Sequence, residues 1–221
     1  MDERFCGFSR EVPQFFFELP FKNTIEDQPQ NIAEYKTLLS EPLRLLYEEL
    51  CPTAQSISPD LCTKRAKCVS SPYTDRRMSP AAPLKTYVYL RFKTDGRDEN
   101  IPSLFFDMGE EGYAYGIRIY HLNTAGMAEI RKGILADMGS FSAALEKAEK
   151  KGFEVRGEMY KRDHYPQITD ETAKKVLNIR HFKISKQCPF GEEVFSEELA
   201  DVLRQGFLDM KELLLLIEKY I

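Results

Sequence analysis

SLFFDMGEEGYAYGIRIYH, residues Ser103–His121, is the stretch whose reading decides the fold. Its halves, Ser103–Met108 and Tyr113–His121, are rich in aromatic and β-branched residues and flank Gly109-Glu110-Glu111-Gly112, a tight hairpin turn. The sheet is therefore mostly antiparallel. On the hairpin's N-terminal side, beyond the polar loop KTDGRDENIP, Thr86–Phe92 reads as another strand, and its two-sided apolar and aromatic character suits an interior position. On its C-terminal side, Asn123 or Thr124 caps a helix carrying Met127, Ile130, Ile134 and Leu135. Ser140 caps a second, with Phe141, Ala144, Leu145 and Ala148, stopped by Gly152.

A strand over Phe153–Glu158 and a short helix over Asp170–Asn178 follow. Ser196 then starts a long amphipathic helix through Leu199, Leu203, Phe207, Met210, Leu213, Leu214 and Ile217. Ahead of the strands, Phe15, Phe16 and Leu19 form a short helix ended by Pro20. A second helical pattern runs from about Asn31 to Leu50, with a kink or a fresh start capped by Ser40 at Pro42, and CPTAQSISPD is a connection. The expected fold class is α+β: a mostly antiparallel sheet packed by several helices, with a long C-terminal helix, in one domain over residues 1–221.

Composition narrows function by exclusion. The chain has 221 residues, 43% hydrophobic and 30% charged, enough for a sizeable core. A net charge of -4 argues against nucleic-acid binding by phosphate neutralisation and makes any anion site a local one. The opening MDERFCGFSREVPQFFFELPF has acids at once and lacks the apolar core of a signal peptide. The longest apolar run, LLLLI, is far short of the roughly 18 to 20 residues that span a bilayer, so no membrane role is expected. Five cysteines, an odd count without paired metal spacing, suggest reduced thiols in a cytoplasmic protein and no metal site. His121, His164 and His181 show no ligand or triad spacing, Cys62 and Cys68 lie near Lys64, Arg65 and Lys67 without an evident base, and no motif names a cofactor or a reaction.

One constellation invites a ligand. Asp75, Arg77, Lys85 and Arg91 cluster before and within the first strand, and Arg118, Arg131, Lys161, Arg162 and Arg180 follow along the chain. Guanidinium forks suit phosphate or carboxylate, and one acid can hold an arginine in place while others face a ligand. Arg118 alternates with Ile117 and Ile119, and Gly116 beside it leaves room for close approach. Asp75, Arg77, Lys85, Arg118 and Arg131 are thus the candidate site for an anionic small molecule, whether or not a reaction follows. The competing reading makes the same residues an ion-pair network in an interaction or scaffold protein, whose C-terminal helix offers an apolar surface to a partner or to a second copy in a homo-oligomer.

Taken in order, these pieces resemble the domain of unknown function 2461 family from about Phe8 to Tyr220. The resemblance rests on Phe15, Phe16, Leu19 and Asn23, on Tyr35 with Pro42 and Leu43, and on Asp75-Arg76-Arg77-Met78-Ser79 followed by Pro83-Leu84-Lys85. Gly116, then Met127, Ile130 and Arg131, then Gly157, Lys161 and Arg162, and finally Leu177 and Phe182 continue it. Ser71 and Met78 stand where the family pattern has arginine and phenylalanine. The resemblance implies a single α+β domain and brings no established activity, substrate or catalytic residue.

Overall fold

The computed structural model describes residues 4–61, 63–74, 82–94 and 100–221. Five strands, β1 (Tyr87–Lys93), β2 (Ile101–Gly109), β3 (Gly112–Tyr120), β4 (Glu154–Met159) and β5 (Ile179–Cys188), form a sheet in the order β1-β2-β3-β5-β4. Every neighbouring pair is antiparallel. The β2–β3 hairpin forms as its turn chemistry requires, with Glu110-Glu111 at the tip and Gly112 at φ +119°. Alternation then sorts the side chains. Val88, Leu90 and Phe92, Leu104, Phe106 and Met108, Tyr113, Tyr115 and Ile117, and Phe182 and Ile184 are all buried on one face.

Helices cover that face. The N-terminal half supplies α1 (Val12–Glu18), α2 (Gln28–Tyr35), α3 (Glu41–Ile57) and the one-turn α4 (Arg65–Cys68). Between β3 and β5 come α5 (Thr124–Ala136), α6 (Met138–Lys150) and α7 (Glu171–Leu177), and α8 (Glu198–Asp209) and α9 (Lys211–Tyr220) close the chain. Phe92 ties the layers together: its ring stacks on Tyr47 of α3 at 5.9 Å and meets Phe207 of α8 edge-on at 6.0 Å. Burying each such side chain contributes about 1.5–3 kcal/mol. Leu213, Leu214 and Ile217 of α9 are buried in the same core, so the inward side of this helix is spent on its own fold. Among the described residues, no helix is long and apolar enough to cross a membrane.

Several expectations need correction. β1 lies at the edge of the sheet and not in its interior. Its outer side meets Leu61, bridged to Thr94, and Val69, bridged to Leu90, while its second face carries tyrosines and cations in place of core residues. β5 is a strand that the sequence pattern does not predict. Between the Gly157–Phe182 and Met159–Ile179 pairs, β4 advances two residues and β5 three, a bulge that breaks the period-two signal.

Pro42 falls in the first turn of α3 but marks no fresh start: Ser40 is itself helical and makes no side-chain cap, and a π-helical turn at Lys36–Ser40 carries α2 straight into α3. α3 continues through Pro52 to Ile57, because burial of Thr53, Ala54 and Ile57 outweighs the lost backbone donor. α6 begins at Met138, ahead of Ser140. The C-terminal helical run divides at the fully buried Met210, and the division lets α8 pack on α3 and α9 on α5 and α6.

Candidate functional site

The face of the sheet opposite the core is polar. In register across its strands lie Tyr89, Asp107 and Ala114, then Arg91, Phe105 and Gly116, then Lys93, Ser103 and Arg118. Gly116 belongs here for a backbone reason: its φ is +145°, and a Cβ would fall 2.2 Å from the Ile184 carbonyl oxygen. Phe105, opposite it, remains only 3% exposed. The result is a shallow, small-residue centre flanked by long polar side chains.

A hollow of about 360 Å³ opens on this face, lined by Lys85, Tyr89, Arg91, Asp107, Arg118 and Tyr120 among others. Tyrosines orient its cations. The Arg91 guanidinium carbon lies 3.3 Å from the Tyr120 ring centroid and 4.5 Å from that of Tyr89, so it is held between two aromatic faces. Arg118 lies 5.7 Å from the Tyr120 ring and the Lys85 ammonium 5.4 Å from that of Tyr89. Lys85 also donates to the Ser71 carbonyl at 3.0 Å. Its backbone is fixed from two sides: Asn23 donates to the Leu84 carbonyl and accepts from the Leu84 N–H, both at 2.9 Å, and the Lys85 N–H donates to the Pro72 carbonyl.

Charge in the hollow is unbalanced. Among the described residues, Lys85, Arg91 and Arg118 form no ion pair. Burial, reinforced by the nearby Arg118, depresses the Arg91 guanidinium below its ordinary value, although Tyr89 opposes the shift. Burial and then Arg91 depress the Lys85 ammonium likewise. Burial raises the Asp107 carboxyl, with Lys183 and Arg118 pulling the other way. In all three the largest cause is burial.

The sequence candidates divide. Lys85 and Arg118 share the hollow, joined by Arg91 of the same constellation. Asp75 and Arg77 lie outside the described residues. Arg131 stands apart: it donates through Nε to the Leu177 carbonyl at 3.0 Å and through Nη2 to the Ile179 carbonyl, tying α5 to the junction of α7 and β5. Arg180 pairs with Glu158 at 3.2 Å. Asp107, Tyr89 and Tyr120 were missed, although a lone acid in FFDMG and the odd-numbered polar positions of YVYLRFK signal them. Among the described residues, no three His, Cys, Asp or Glu side chains gather as metal ligands would, and Cys6, Cys51, Cys68 and Cys188 form no disulfide.

Comparison with curated proteins and with solved structures gives no match. A family model described as "Conserved hypothetical protein (DUF2461)" matches residues 11–215, a span that includes α1, β1 to β5 and the first half of α9. The chain belongs to this family, the domain of unknown function 2461 family.

Proposed function

We propose that the polar sheet face binds a small anionic molecule, bearing phosphate or carboxylate, in the hollow of Lys85, Arg91 and Arg118. The observation that carries this reading is the convergence of these cations in one hollow without an ion-paired carboxylate among the described residues. Arg91 and Arg118 offer planar forks to the anion, Lys85 adds a point charge, and the Tyr89 and Tyr120 rings limit where the Arg91 fork can point. Asp107 at the margin accepts a hydrogen bond from a ligand hydroxyl or amine, and selects against ligands that carry negative charge throughout. The scaffold reading relied on an apolar surface of the C-terminal helix, and burial of Leu213, Leu214 and Ile217 weakens it.

The test is a thermal-shift screen of phosphorylated and carboxylated metabolites, followed by calorimetry of the hits on wild type and Arg91→Gln. A ligand at 100 times its Kd adds about 2.7 kcal/mol of apparent stability, and at ~2–4 °C per kcal/mol for a chain of this size the midpoint rises by ~5–10 °C. Arg91→Gln should erase most of that rise. Hits that bind wild type and Arg91→Gln equally would sink the proposal.

A further inference from the structure

The central hollow has a neighbour across β3. A second hollow of about 320 Å³ is lined by Arg118, Leu122, Arg156, His181, Phe182 and Lys183, so Arg118 borders both. Backbone register explains the placement. Lys93 pairs with Ser103, Ser103 with Arg118, Arg118 with Lys183, and Lys183 with Arg156, giving one row across all five strands in which every member but Ser103 is a cation. Like charges directly opposite each other on neighbouring strands are destabilising, so the row needs a compensating anion.

The protein supplies little of that compensation. Arg156 bonds to Glu154 at 2.8 Å and to the Gln187 amide oxygen at 3.0 Å, while its Nε is buried and unpartnered among the described residues. Lys183 lies 5.9 Å from the Phe105 ring centroid and makes no ion pair among the described residues. Ser185, two residues on and facing the same way, is 1% exposed, and its hydroxyl has no partner among the described residues. Unmet donors therefore continue from the first hollow into the second.

Resting on the reading of the central hollow given above, we propose that the ligand is a molecule with two anionic groups, of the bisphosphate type, one group at Arg91 and Arg118 and the other at Lys183 and Arg156. The span follows from sheet geometry. The first pair, on β1 and β3, straddles β2, and the second lies on the adjacent β5 and β4, two and a half strand spacings away, or about 12 Å. Leu122 lines the second hollow and gives an apolar spacer somewhere to lie.

The experiment is calorimetric titration with inorganic phosphate and with alkane bisphosphates of increasing chain length. Affinity should rise at least ~100-fold over inorganic phosphate once the phosphates can reach about 12 Å apart, because the second contact becomes intramolecular. Lys183→Gln should remove that gain and leave inorganic phosphate binding in place; Arg156→Gln provides a second variant, and circular dichroism checks the fold of each. A flat dependence on chain length, or a length-dependent gain that survives both substitutions, would overturn the two-group reading. If inorganic phosphate binding still falls in Arg91→Gln, the central site stands without it. If no member of the series binds wild type, both readings fall together.

Discussion

Replacing Arg131 with Met separates a joint of the fold from the candidate site, two roles that the sequence does not distinguish. The guanidinium donates to the carbonyls of Leu177, the last residue of α7, and Ile179, the first of β5. A cation at a helix C-terminus also meets the negative end of the peptide dipoles. Leu177 and Ile179 are 0% and 2% exposed, so methionine leaves two carbonyls with little access to water. Each charge-assisted bond is worth about 1.5–3 kcal/mol. Methionine recovers part of this by packing its stem in the same space, so the expected loss is ~2–4 kcal/mol. For a chain of this size that lowers the unfolding midpoint by ~5–15 °C. The assay is urea and thermal denaturation of both proteins, with anion affinity measured well below the transition. Affinity should stay within about twofold of wild type while the folded fraction exceeds ~95%. A stability change under ~0.5 kcal/mol, or a selective loss of anion binding in a stable variant, would refute the assignment of Arg131 to the joint.

Three further perturbations test other parts of the structure. Burial raises the Asp107 carboxyl pKa above its ordinary value near 3.8, so the native state loses stability as pH rises through the raised value. Asp107→Asn should therefore be the more stable protein at pH 7 in urea titrations, with the difference closing below about pH 3.8; a less stable variant at pH 7 would contradict the stated sign. Gly116→Ala puts a Cβ 2.2 Å from the Ile184 carbonyl at a φ of +145° and should cost ~3 kcal/mol or more, read from the thermal midpoint, whereas a neutral result would reject the close approach. Asn123→Ala removes the acceptor of the Gly126 N–H, a 2.8 Å bond at the start of α5, and should cost ~1 kcal/mol by denaturant unfolding; no measurable change would mean that the cap is replaced by water.

The hairpin was legible because its evidence is local. Gly109 and Gly112 around an acidic pair state a turn, and the residues on either side state a period of two. The cap at the start of α5, read as Asn123 or Thr124, was legible for the same reason, since the Asn123 side chain accepts from the Gly126 N–H three residues on. β5 was hidden because the bulge over Arg180–His181 shifts its apolar positions from 179 to 182 and 184, which matches neither a strand nor a helix period. Pro52 argued for a connection, and only the packing of α3 on α8 reverses that argument. Among the candidate cations, Lys85, Arg91 and Arg118 come from segments that the hairpin and its neighbour strand align, and the antiparallel pairing of β1, β2 and β3 brings them together. Arg131 could not be sorted from them by sequence, because its partners are backbone carbonyls of an unrecognised strand and the helix before it.

The margins of the sheet have a consequence for how other molecules reach this protein. A bare strand edge is a template for further strands, and exposed ones seed aggregation. Here Leu61 and Val69 are already bridged to the free side of β1, while β4 is six residues long, changes register after Gly157 and carries Glu154, Arg156 and Glu158. Neither edge offers a long, flat row of backbone donors and acceptors. Recognition through the sheet is thereby steered away from strand addition and onto side chains, where a single charge substitution can change which molecule is accepted.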